Sequence, residues 1–130
     1  MARILVVEDH PANLKLARII LENAGHVVVA SDDAVDGLRV AAQIRPDLVL
    51  MDIQLPGMDG LEATRRLKAA SETAGIPVIA LTAFAMREDA QKMQAAGCDG
   101  YLAKPYRAAQ LLEAVNGALA GATPVRRTGS

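Results

Sequence analysis

The chain has 130 residues, a formal net charge of -1, 52% hydrophobic residues and only 2% aromatic ones. That length fits one domain and leaves little room for a second, and the near-balance of charge argues against a general nucleic-acid binder. The lone Cys98 excludes an internal disulfide and fits a reducing cytosol; the apolar runs are far too short to span a bilayer.

The first apolar run, Arg3–Val7, follows Met1-Ala2 directly, with no charged-then-apolar leader, so no signal peptide is expected. Residues 11–24 read as a helix, with Leu14, Ala17, Leu21 and Ala24 at three- and four-residue steps. Pro11 suits its first turn and Gly25 its stop. A second strand is expected over 26–30. A second helix follows over 31–44, with Asp32 or Asp33 as cap and Leu38, Ala41 and Ala42 on one face. The third strand, 48–51, ends at Asp52 and a turn, Ile53-Gln54-Leu55-Pro56-Gly57-Met58-Asp59-Gly60. Helices are expected over 60–70, 86–96 (stopped by Gly97) and 108–119, the last with Ala108, Leu111, Leu112, Val115 and Leu119 on one stripe. Strands are expected over 77–81 and Gly100–Ala103. Four of the five strand runs are rich in Val, Ile and Leu without alternation, as in parallel strands covered on both faces. Five alternations of strand and helix predict an α/β fold with a parallel sheet and helices on both sides. The expected domain is residues 1–120, with 121–130 as a flexible tail in which Arg126-Arg127 reads as solvated rather than as a binding arm.

Strand ends carry the chemistry. In open α/β sheets, ligands sit at the carboxyl edge. Three strands deliver charge there: Glu8-Asp9, Asp52 and Lys104. Three clustered negatives raise one another's pKa unless compensated. Lys104 and a divalent cation would together neutralise them. Oxygen donors suit Mg²⁺ or Mn²⁺, and no His/Cys cluster suggests zinc. A carboxylate can attack phosphorus to form an aspartyl phosphate, a reaction that needs positioning and charge neutralisation above all. Thr82, ending the fourth strand run, is the candidate hydroxyl donor, and the small Ala83 would leave the site open.

Glu8-Asp9, the run from Met51 to Gly60, Thr82-Ala83 and Tyr101-Leu102-Ala103-Lys104-Pro105 match, in order and spacing, the receiver domain of two-component response regulators. The chain resembles that family over about residues 2 to 120. The resemblance implies a doubly wound, flavodoxin-like or CheY-like sheet of five strands in order 2-1-3-4-5 with five helices. It implies Asp52 as phosphoacceptor, Asp9 as direct Mg²⁺ ligand, Glu8 as holder of metal-bound water and the backbone carbonyl of Gln54 as a further ligand. Lys104 would pair with phosphoryl oxygens, Thr82 would hydrogen-bond one of them after activation, and Tyr101 would switch with it. Lys104-Pro105 would be cis, a form that is cheap only before proline. Gln54 and Phe84 stand where the family tunes phosphoryl lifetime. The implied donor is a sensor histidine kinase or histidine phosphotransferase. The implied output is a protein docking on the face of the fourth helix, fifth strand and fifth helix, in the cytoplasm, without nucleic acid or membrane insertion. The string Thr82-Ala83-Phe84-Ala85-Met86 resembles single-domain DivK-type cell-cycle regulators.

Simpler roles stand beside these. A strand-end Asp is usually a cap or turn residue, a lone Thr82 a structural hydroxyl, Lys104 a surface lysine and Tyr101 a core filler. Context in register favours the functional reading for Asp52, Glu8-Asp9 and Lys104; in a chain with three aromatics, two of them flanking Lys104-Pro105, an interaction surface becomes more plausible for Tyr101. His10 reads as leading into a helix, His26 as structural and Cys98 as a small buried hydrophobe. Asp59 and Gly60 read as turn and helix-start residues. Other functions are a phosphorelay intermediate or a receiver cut from a hybrid kinase. A phosphatase of haloacid-dehalogenase type would need a second acid where Gln54 stands. A dinucleotide-binding fold would need a Gly-rich turn where Glu8-Asp9-His10-Pro11 stands.

Overall fold

The Val, Ile and Leu runs pair side by side in the chain's computed structural model, which describes residues 1–83 and 86–121. The elements are β1 (Arg3–Val7), α1 (Pro11–Asn23), β2 (Val27–Ser31), α2 (Ala34–Ile44), β3 (Leu48–Asp52), α3 (Gly60–Ala69), β4 (Val78–Thr82), α4 (Arg87–Ala96), β5 (Gly100–Ala103) and α5 (Ala108–Gly121). The strands form one parallel sheet in the order β2-β1-β3-β4-β5. This is the expected doubly wound α/β fold. The readings at Phe84 and at Arg126-Arg127 lie outside the described residues.

Successive side chains of a strand point to opposite faces, and both faces here are covered. Ile4, Val6, Leu48, Leu50, Ile79 and Leu81 pack with Ala17, Ile20 and Leu21 of α1 and Leu111 and Val115 of α5. Leu5, Val7, Val49, Met51 and Val78 pack with Ala34, Val40 and Ala41 of α2 and Ala63 and Leu67 of α3. The edge strands depart from this. Val27 of β2 is exposed, and β5 alternates half-buried and exposed residues. Full cover of both faces therefore holds for β3 and β4, and for β1 beyond Arg3, whereas β2 lies at an edge and has only part of it.

Local chemistry sets the boundaries. β2 starts after His26, whose Nδ1 accepts the Ala2 N–H at 3.1 Å, a structural role as expected. β4 starts after Pro77, which has no N–H to give. α2 starts at Ala34, not at residue 31. Asp33 is its cap, accepting the Asp36 N–H at 2.7 Å, and Ser31 stays in β2 while its hydroxyl donates to Asp36. Gly25 and Gly97 follow α1 and α4 with φ of 91° and 102°, left-handed values that suit glycine at a helix stop. The helical faces are rotated slightly from expectation. Ile20 is buried where Ala24 is exposed, Val40 is buried where Ala42 is exposed, and Ala108 is exposed. Gly121 belongs to α5 rather than to the tail.

Candidate functional site

β1, β3 and β4 end level with one another, so their last residues share one edge. Register pairs Val7 with Met51 and Asp52 with Leu81. Glu8 follows β1, Asp52 ends β3 and Thr82 ends β4. All three are buried, Glu8 at 2% exposure and Asp52 at 3%. Asp9 is half-buried beside them. Oxygens of Glu8, Asp9 and Asp52 lie within 4.8 Å of one another, and among the described residues this is the group of acids able to hold a metal ion. An all-oxygen carboxylate set fits Mg²⁺ or Mn²⁺ and not zinc.

Lys104, one residue past β5, reaches across the edge. Its Nζ lies 3.1 Å from Glu8 Oε1 and 3.2 Å from Asp52 Oδ2. Its backbone N–H donates to the Thr82 carbonyl at 2.8 Å, fixing the base of the side chain. The following peptide bond, Lys104-Pro105, is cis, as expected. The Gln54 N–H donates to Asp52 Oδ1 at 3.0 Å, and the Gln54 Oε1 accepts a long hydrogen bond, 3.4 Å, from the Ala83 N–H. The Asp52 carboxylate therefore meets a lysine on one oxygen and a backbone N–H on the other.

Burial, above all, pushes the Glu8 carboxyl above the usual glutamate value, and the adjacent Asp52 adds to this. The His10 N–H, 3.1 Å from Glu8 Oε2, and Lys104 pull the other way. One lysine does not neutralise three acids in a buried crevice, so the site favours a further cation. Tyr106, whose phenol burial raises above its usual value, lies close enough for the Glu8 charge to raise it further. Tyr101 is not a core residue but lies 47% exposed on β5, register-paired with Ala80. His10 precedes α1 at its N-cap position without a capping side-chain bond.

The sequence reading missed why Gly60 is glycine. A Cβ there would collide with the Asp52 carbonyl oxygen and lie 2.8 Å from Ile53 Cα. The Gly60 N–H donates to the Ile53 carbonyl at 3.1 Å, and Thr64 Oγ1 donates to the Gly60 carbonyl at 2.8 Å. The first turn of α3 is thus pressed against the backbone that carries Asp52. The Asp59-Gly60 pair after a Pro-Gly turn was the available signal. The Lys68 clamp was also missed. Its Nζ bonds the Ile76 carbonyl at 2.8 Å and Asp99 Oδ2 at 2.9 Å.

A family model described as the response regulator receiver domain matches residues 4–116. The polar-differentiation response regulator DivK of Brucella anthropi is 40% identical over 119 residues, 92% of this chain and 97% of that protein. The receiver domain of a sensor histidine kinase from Pseudomonas aeruginosa PAO1, with a magnesium ion coordinated in its active site cleft, is 36% identical. It superposes with a TM-score of 0.85 over 92% of this chain and 98% of that one. The chemotaxis protein CheY4 of Vibrio cholerae is 28% identical, with a TM-score of 0.87 over 91% of this chain and 98% of that one.

Proposed function

This chain belongs to the response regulator receiver domain family, and from that premise we propose that it is a phosphoacceptor switch charged on Asp52 by a phosphohistidine donor. The observation that carries the reading is the Asp52 carboxylate, buried at the carboxyl edge between Lys104 Nζ and the acids Glu8 and Asp9. An Asp52 oxygen attacks phosphorus, the P–N bond of the donor breaks, and the imidazole leaves with the bonding pair. Lys104, already 3.2 Å from Asp52, pairs with the phosphoryl oxygens. The Thr82 hydroxyl takes another oxygen, and Tyr101 follows it. Mg²⁺, or Mn²⁺ in its place, would be held by Asp9, Asp52, the Gln54 carbonyl and, through water, Glu8, supplying positive charge against the phosphoryl oxygens. No turnover of a free substrate is expected, only self-catalysed phosphorylation and loss.

The donor is a sensor histidine kinase or histidine phosphotransferase in the cytoplasm, where the unpaired Cys98 thiol is at home. The output is a protein partner on the face of α4, β5 and α5. The likeness to DivK supports a cell-cycle role. The likeness to a sensor kinase's receiver domain supports a second reading, a relay step that passes the phosphoryl group onward. Residues 1–120 would form the receiver domain.

Intact mass after incubation with a small acyl-phosphate donor tests the first claim. Addition of one phosphoryl group that requires Mg²⁺ and vanishes in Asp52→Asn is expected. Equal addition in the mutant would overturn the assignment. Onward transfer to a histidine phosphotransferase, without a change in partner affinity, would favour the relay.

A further inference from the structure

β5 closes one edge of the sheet and pairs with β4 alone. The Lys104 N–H donates to the Thr82 carbonyl at 2.8 Å. Along a strand, backbone groups turn to one side and the other alternately. Leu102 therefore faces β4 as Lys104 does, and Tyr101 and Ala103 turn their N–H and C=O groups outward. Both are exposed. Charged side chains and proline commonly protect such an edge, yet β5, Gly100-Tyr101-Leu102-Ala103, carries neither. Two hollows flank it, one on each face of the sheet. On the face covered by α1 and α5, a groove of about 650 Å³ is walled by Ile79, Leu102, Ala114 and Gly117. On the face covered by α2 and α3, where Cys98 meets Thr64, a hollow of about 260 Å³ is walled by Ala90 and Met93 of α4 and by Cys98. Asp99, Gly100 and Tyr101 line both.

We propose that the downstream protein docks by adding an extended segment to the outer edge of β5, with basic side chains on the α5 side and apolar ones on the α4 side. This rests on the reading that α4, β5 and α5 form the docking face, and it names the kind of partner that fits there. An added strand gains backbone hydrogen bonds from the edge and specificity from pockets for alternate side chains. Its successive side chains point to opposite faces, and here a hollow waits on each. Charge assigns the two sides. The α5-side groove is lined by Asp99 and Glu113 and by no basic residue. Asp99 is already paired with Lys68, whereas Glu113 is exposed and without an ion-pair partner among the described residues. A Cβ at Gly117 would meet nothing within 4 Å, so α5 leaves room there for a long side chain. An arginine or lysine suits that room, its stem against Leu102 and Ala114 and its cation at Glu113. Ala90, Met93 and Cys98 on the other side suit an aliphatic side chain.

The probe is a short blocked peptide of alternating leucine and arginine, added to the chain of residues 1–130 while amide spectra and hydrogen exchange are followed. Severalfold slower exchange at the Tyr101 and Ala103 amides is expected, and Glu113→Lys should weaken binding severalfold. Two further peptides are N-methylated, one at every leucine and the other at every arginine. Only one of these sets of amides faces β5, so one form should lose binding and the other keep it. Equal effects of the two methylated forms would overturn the proposal, because a merely electrostatic contact does not sense which amides are blocked. So would shifts confined to other surfaces, or binding as tight by a peptide of the same composition with its leucines and arginines in separate blocks. Protection of Tyr101 and Ala103 that grows with protein concentration in the absence of peptide would also overturn it, giving the edge to a second copy. The unphosphorylated chain is measured first and the phosphorylated chain second. Binding that is unchanged by phosphorylation counts against the switch and leaves the edge site standing, whereas absence of binding in both states overturns the edge site and leaves phosphoryl uptake untouched.

Discussion

α3 and α4 leave the same edge of the sheet, one after Asp52 and the other after Thr82, yet they are held very differently. α3 is capped by Asp59, whose carboxylate accepts the Glu62 N–H at 2.8 Å, and it buries Gly60, Ala63, Thr64 and Leu67. α4 starts after Met86, which is 69% exposed and makes no side-chain cap, and buries only Met93 and Ala96. Ala63 and Leu67 of α3 belong to the large core cluster under α2 and α3, whereas α4 contributes to neither main cluster. The lesson is a division of labour. The element behind Asp52, the proposed phosphoacceptor, is locked to its backbone, and the element behind Thr82 buries little. Few buried contacts and an uncapped end are what allow a segment to shift at low cost.

The largest effect expected comes from breaking the lock on α3. Gly60→Ala forces a methyl group into the Asp52 carbonyl oxygen. Overpacking of this kind costs roughly 1–3 kcal/mol, and the atom that must yield is backbone, so the upper end is expected. Urea unfolding midpoints measure it. Phosphoryl uptake should fall together with stability, because Asp52 itself is displaced. A variant as stable as wild type would show that α3 is not locked.

The acids on the locked side come next. Glu8 titrates above the ordinary 4.5 in the fold, chiefly because it is buried. A carboxyl raised by folding favours the folded state when protonated. That stability is present below 4.5 and is lost as pH rises through the raised value. Glu8→Gln removes the titration. In metal-free buffer its stability should fall less than that of wild type between pH 4.5 and neutrality, and added Mg²⁺ should stabilise it less. Parallel pH curves for the two proteins would mean that the crevice does not strain Glu8.

How much of this contrast was legible in the sequence depends on what kind of signal carried it. The strands were legible because Val, Ile and Leu runs of five residues leave few other choices, and Asp52, Glu8 and Lys104 stood out as charges at their ends. The lock was not legible, because a glycine excluded by a neighbour's carbonyl looks the same as a glycine in a turn. Tyr101 was legible from its setting: as one of three aromatics, two of them flanking the Lys104-Pro105 step, it read as an interaction surface, and at 47% exposure on the edge strand it is open to solvent. The clamp of Lys68 on the Ile76 carbonyl and Asp99 joins residues far apart in the chain, and no local pattern announces it.

Adding a cap to α4 sharpens the comparison from the other side. Met86 has φ of -79° and ψ of 164°, extended geometry that a capping residue adopts. Met86→Asp places a carboxylate at the free N–H groups of the first turn, and such a cap contributes about 1 kcal/mol. A higher thermal midpoint and slower amide exchange in α4 are expected. If freedom of α4 transmits the signal, the capped variant takes up phosphate normally but gains less partner affinity from it. An unchanged gain would place the moving part elsewhere.

The smallest effect is read at Cys98, which follows α4 and touches α3, its Sγ lying 4.0 Å from Thr64 Oγ1. Burial pushes its thiol above the ordinary 9.0, more than Thr64 draws it down. The thiolate is the reactive form, so alkylation should be slow at neutral pH and rise with a midpoint above 9.0. If α4 shifts while α3 stays against the Asp52 backbone, this contact opens from one side only. Phosphorylation should then raise the alkylation rate severalfold, while Gly97→Ala, which strains the turn between α4 and Cys98 at a φ of 102°, should raise it without phosphate. A rate insensitive to both would mean that α4 and α3 move as one body, and the contrast between the two helices would then concern stability alone and not signalling.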